Sequence, residues 1–140
     1  MSFEQTVEYP PTSLKRHRHT RSGHSYDPSA KDKLEFVGKV DLPEQLLKGP
    51  LKATLDFYQK RPKSHYRSGK YSDQMKDSAP KHNTSRKDID NLCKFILDAL
   101  NKRLYEDDSQ IIILNSTKNY TTKREEEGYI YMKFEEIKVD

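Results

Sequence analysis

The sequence predicts an α+β fold: a small mixed β-sheet of about four strands with two helices packed on one side, in the order β-α-β-α-β-β. Three observations carry that expectation. Residues 86–114 hold a strongly amphipathic helical period that runs into the β-rich QIIILN. Residues 51–58 and 129–135 each alternate apolar and polar at period two. A length of 140 residues suits one domain, 1–140, with a single core.

In chain order, SFEQTVEY reads as a strand with Phe3, Val7 and Tyr9 on one face, ended by Pro10 and Pro11. LKRHRHTRSGHSY reads as a loop in which Lys15, Arg16, Arg18 and Arg21 are interleaved with His17, His19 and His24. His-x-His can bind zinc, but a closed site needs further ligands. Phosphate contact is the favoured use, and it should strengthen as the histidines charge on mild acidification. DPSAKDKLEFVGKV opens a helix, with Asp27 as cap and Pro28 at the first helical position. Leu51, Ala53, Leu55 and Phe57 point inward from a half-buried strand. From Arg61 to Lys87 no period appears. That stretch reads as a long basic loop, expected to be mobile when nothing is bound to it. QIIILN is apolar on both faces, which predicts an interior strand, and YIYMKFEEI supplies the last one.

With 34% charged and 32% hydrophobic residues, the apolar side chains must concentrate in these few elements. No run reaches the roughly 18 apolar residues of a membrane span. MSFEQTVEYPP lacks a signal-peptide core, so the expectation is a cytoplasmic protein. A single cysteine, Cys93, excludes an internal disulfide, and its place on the apolar helix face suits a core residue better than a nucleophile. No glycine-rich phosphate loop occurs, which argues against a nucleotide cofactor.

The net charge of +4 conceals segregation. Residues 15–24 hold four Lys/Arg and no acid; residues 60–87 hold nine against Asp73 and Asp77, leaving the remainder of the chain at −7. Basic loops beside an acidic body suit a protein whose loops track phosphates. Arg61, Lys63, His65, Tyr66 and Arg67 form the densest basic-aromatic cluster, with Lys70, Arg86 and Lys87 in the same loop. A tyrosine here can stack on an unpaired base or cover the core edge.

The acids concentrate in RKDIDNLCKFILDALNKRLYEDDSQIIIL, residues 86–114. Ile89, Leu92, Cys93, Phe95, Ile96, Leu97, Ala99 and Leu100 share one broad face of a helix. Asp90, Lys94, Asp98 and Asn101 line the other face, and Asp88 occupies the N-cap. If the following strand packs beside the helix, Asp108 can approach Asp88 and Asp90. Crowded carboxylates then call for a cation, and few oxygen donors suit Mg²⁺. On spacing alone the same residues serve equally as a cap, an i,i+4 pair and a turn.

DIDNLCK, ILDALN and YEDDSQI, in this order and spacing, resemble the signature of the RusA family of Holliday-junction resolvases. The likeness extends through RPKSHYRSGK and SAPKHNTS to the N-terminal prolines, and it is similar to the longer phage-type form. It implies a small homodimeric endodeoxyribonuclease that cuts four-way DNA junctions with Mg²⁺, or Mn²⁺ in its place. It also implies metal-binding roles for Asp88, Asp90 and Asp108 and an essential Lys94. Lys87 departs from the pattern, since many members carry proline before the first aspartate. The resemblance favours a nuclease over a non-catalytic basic module that only binds nucleic acid.

Overall fold

The alternating residues of 51–58 form the strand on which the sheet is assembled. The structure is a computed structural model that describes residues 1–16, 18–23 and 25–138, with only the backbone at Arg18 and His19. Its elements are β1 (Ser2–Val7), a short hairpin of β2 (Arg18–His19) and β3 (Ser25–Tyr26), α1 (Ala30–Val37), β4 (Leu51–Gln59), α2 (Ile89–Leu100), β5 (Ile111–Tyr120) and β6 (Gly128–Glu136). The main sheet has the order β1-β6-β4-β5. β6 runs antiparallel to β1 and β4, whereas β5 runs parallel to β4. The expected α+β order is therefore found, with the small hairpin added.

Leu51, Ala53, Leu55 and Phe57 of β4 and Ile130, Met132 and Phe134 of β6 are fully buried, as are Leu92, Phe95, Ile96 and Leu100 of α2. Tyr9 and Phe95 bracket Phe36 of α1 edge-on, at ring-centroid distances of 5.6 and 6.0 Å. These aromatics fasten both helices to one face of the sheet. Phe95→Ala should cost about 3–5 kcal/mol, because the hole would open between two helices and a strand. Denaturant unfolding reads this directly. Cys93 is buried in the same layer, and burial pushes its thiol pKa up, which agrees with a core role. The opposite sheet face is polar, with Tyr58 stacked on Tyr129 at 4.4 Å.

Two local expectations differ from what is found. α1 begins at Ala30 with Ser29 at its cap position, two residues later than the sequence suggests. The Asp27 carboxylate instead accepts from the Ser29 amide at 2.9 Å and binds the Lys33 ammonium. Lys33 also pairs with Asp98, so one ammonium ties α1 to α2. The second difference is larger. β5 is an edge strand, not an interior one, and Ile112, Ile113 and Leu114 are 62%, 42% and 43% exposed. The register shifts between Leu51 and Lys52, so Ile112 has no partner on β4. One copy of the chain does not cover the apolar residues of QIIILN.

The basic loop folds back on itself through short helical turns at Lys63–His65 and Gly69–Tyr71. Backbone bonds run from the Arg67 amide to Gln74 and from the Lys76 amide to His65, both 2.9 Å. Buried Asn83 pins the loop's far end, donating to the Gln59 side chain and the Asn119 carbonyl. Among the described residues, no helix is long and apolar enough to cross a membrane.

Candidate metal and DNA site

The β4-α2-β5 unit decides where each candidate lands. Because β4 and β5 are parallel neighbours, the helix linking them runs antiparallel to both. The head of α2 therefore sits at the C-terminal end of β5. Lys118 of β5 anchors it there, donating to the carbonyls of Ser85 at 2.8 Å and Lys87 at 2.7 Å.

Asp88 takes the N-cap position with extended backbone, and its carbonyl accepts from the Leu92 amide at 3.1 Å. Its carboxylate makes no capping hydrogen bond, contrary to the usual use of aspartate there. Asp88 and Asp90 are both exposed at the positive end of the helix dipole, and Lys94 is exposed one turn on. The N-terminal segment passes alongside. The Leu14 amide donates to the Asn91 carbonyl at 3.3 Å, and the Lys87 ammonium donates to the Pro11 carbonyl at 2.7 Å. Lys87 is half-buried, and burial pushes its pKa down, so this candidate DNA contact serves the fold instead.

Asp108 lies elsewhere. Its amide donates to the side chain of Asn101, the residue that closes the other end of α2. A helix of 12 residues is about 18 Å long, so the expected approach of Asp108 to Asp88 and Asp90 does not occur within one chain. The expectation placed the strand beside the helix but overlooked its direction. Neighbouring Asp107 caps the turn Asp108–Gln110 in a reciprocal capping box with Gln110. Hydrogen bonds from Ser109 hold its carboxyl below the ordinary range. Buried Tyr105, whose hydroxyl donates to Leu97, fixes the approach to this turn. Among the described residues no three His, Cys, Asp or Glu side chains converge as a metal site.

The basic candidates divide by role. Arg16, Arg21, Lys63, Arg67, Lys70 and Arg86 are exposed, and Lys15 pairs with Asp32 at 3.9 Å. His17, His24 and the side chains of Arg18 and His19 lie outside the described residues. Arg61 is braced, stacking 4.5 Å over Tyr120 and donating to the Pro80 carbonyl at 2.7 Å. It also faces His65 Nδ1 at 3.3 Å; arginine only donates, so that nitrogen accepts. Burial, then Arg61 and Lys76, push the His65 pKa down. What His65 contributes to stability is therefore whole above the ordinary histidine value and drains away as pH falls toward the lowered one. Tyr66 is buried under Arg124, whereas Tyr71 is exposed with Arg67 and Lys70 against its ring.

Sequence reading missed Arg124 and Lys118. Arg124 sits in a turn of mixed charge, and Lys118 occupies an inward position of a strand, where only the fold reveals that its ammonium anchors the helix head.

Residues 8–127 match the family described as Endodeoxyribonuclease RusA. The chain is also 31% identical over 102 residues to the uncharacterized protein YqaN of Bacillus subtilis (strain 168), covering 70% of this chain and 71% of that protein. With most of its length inside the family match, the chain belongs to the RusA endodeoxyribonuclease family.

Proposed function

We propose that this protein is a Mg²⁺-dependent, structure-selective endodeoxyribonuclease. It resolves four-way DNA junctions by paired phosphodiester hydrolysis during recombination or repair, as a symmetric homodimer. The observation that carries this reading is the head of α2. There the free carboxylates of Asp88 and Asp90 stand exposed beside two basic segments, in a chain of this family. A pair of carboxylates suits Mg²⁺, which draws the rest of its shell from waters and phosphate oxygens; Mn²⁺ accepts the same donors. Bound there, the ion would supply an activated water and charge shielding at the phosphate. Lys94 offers an ammonium on the same helix to offset negative charge as it develops. Arg16, Arg21, Arg61, Lys63, Arg67, Lys70 and Arg86 hold the DNA backbone from the two flanking segments.

A second copy supplies the third carboxylate. A two-fold axis makes two β5 strands antiparallel. An axis near Ile113, amid the exposed Ile112 and Leu114, sets Asp108 of the partner subunit opposite Lys118, the residue that anchors the head of α2. This contact covers the apolar edge and brings Asp88, Asp90 and the partner's Asp108 to one place, twice per dimer. Two sites related by a two-fold axis match a substrate cut on two strands.

Incubation with a four-way junction, with and without Mg²⁺, tests the reading. Paired symmetric cuts that need the metal are expected, with little cutting of linear duplex, flaps or structured RNA. Binding without cuts under either condition would leave a non-catalytic nucleic-acid-binding module. Replacing Arg61, Lys63 and Arg67 together by alanine should weaken junction binding and flatten the slope of log affinity against log salt by up to about three phosphate contacts. An unchanged slope in a titration would show that this loop does not meet phosphate.

A further inference from the structure

Between the start of the basic loop and the turn joining β5 to β6 lies a cleft of 490 Å³, lined by Lys60, Arg61, Lys63, Tyr66 and Arg124 together with two carboxylates, Asp73 and Glu125. Its two guanidinium groups are already in position. Arg124 lies 4.9 Å over the Tyr66 ring and donates to the Ser72 carbonyl. Arg61 lies over Tyr120 and donates to Pro80. Rings and carbonyls hold both groups, and among the described residues neither is in an ion pair, so their charge remains available. Lys60 is partly satisfied by Glu127 at 2.7 Å.

A track for duplex backbone would be a convex or open run of cations. This is a concave space of ligand size with an aromatic wall and acids among its bases. Asp73 and Glu125 repel a succession of phosphates, yet they are natural acceptors for the amino groups of a nucleobase. The cleft is also next to the proposed chemistry. Gln59, the residue before Lys60, accepts from both Asn83 and Ser85 of the segment leading to Asp88.

We propose that this cleft receives a single unpaired nucleotide of the branched DNA. Its phosphate lies between Arg61 and Lys63, and its base stacks on the guanidinium plane that Tyr66 and Ser72 hold flat. The idea rests on the reading of the protein as a junction-binding enzyme, and it adds a contact that fully paired DNA cannot make. Stacking one base should be worth roughly tenfold in affinity, which is about 1.4 kcal/mol.

The test compares binding of a short oligo-dC strand with binding of a fully paired duplex, without divalent metal, for the unaltered protein, Arg124→Ala and Arg124→Lys. Arg124→Ala should weaken oligo-dC binding about tenfold and leave duplex binding within about twofold. Arg124→Lys keeps the charge but not the flat stacking surface, so it should lose most of the same increment. Equal losses on both probes, no loss on either, or full rescue by lysine would overturn the proposal. If Arg124→Ala does not fold, the lysine variant decides alone. A 2-aminopurine in the strand should then change fluorescence on binding the unaltered protein and not on binding Arg124→Lys; the same change with both would overturn it. No arm uses cleavage. A protein that binds in this way but cuts nothing would sink the nuclease reading and leave the cleft assigned.

Discussion

Asp90→Asn is expected to abolish junction cleavage, by about a thousandfold or more, while junction affinity stays equal or rises. The two effects separate because the residue has two electrostatic consequences. Among the described residues, Asp88 and Asp90 are the carboxylates at the head of α2, and on the proposed reading both are donors to the metal. An amide is a far poorer ligand for a hard cation. The same charge faces incoming phosphates beside Arg86 and the N-terminal basic segment, so its removal reduces repulsion. The substitution is nearly isosteric on an exposed first turn, so the fold should tolerate it. Cleavage rates in Mg²⁺ and gel-shift affinities in Ca²⁺, whose looser coordination should support binding without efficient cutting, measure the two separately. Retained cleavage would remove Asp90 from the site; lost affinity would mean that it supports the DNA contact rather than opposing it.

How much of this was legible in the sequence depends on how local each signal is. The amphipathic face of α2 apart from Ile89, which is exposed, its N-cap at Asp88, the inward set of β4 and that of β6 are periodic patterns that burial must satisfy, and each was found where expected. The start of α1 was less legible because Asp27, Pro28 and Ser29 are all good helix-initiating residues, and the Asp27 carboxylate is shared between the Ser29 amide and the Lys33 ammonium. β5 misled for another reason. A run apolar on both faces says that something must cover it, and a single sequence cannot say whether that is its own chain or another. The placement of Asp108 failed in the same way. Proximity in sequence to a strand beside α2 said nothing of direction, and the parallel pairing of β4 with β5 sends the start of β5 to the wrong end of the helix. The burial of Tyr66 beneath Arg124 depends on a turn some sixty residues away in sequence.

The two unexpected results, an uncovered apolar edge and a stranded aspartate, have one explanation in a shared site, and subunit mixing distinguishes it from a site within one chain. Asp90→Asn and Asp108→Asn should each be inactive alone. Mixed and allowed to exchange subunits, they should regain cleavage. In a heterodimer, Asp88 and Asp90 of the Asp108→Asn protomer meet the intact Asp108 of the Asp90→Asn protomer, while the other site carries both lesions. One site then works, so the recovered product should be mostly nicked junction rather than paired cuts. The ceiling is about a quarter of the unaltered rate per dimer, because random exchange makes about half of the dimers mixed and each has one good site of two. Were all three aspartates to act within one chain, every site in every dimer would carry a lesion, and mixing would restore nothing. Adding Ile113→Glu to both variants supplies the control. A buried charge at the two-fold contact should keep the chains apart, which sedimentation would show as monomers, and the recovery on mixing should vanish with the dimer. Recovery that persists among monomers, or mixing that restores nothing among proven heterodimers, would each refute the shared site.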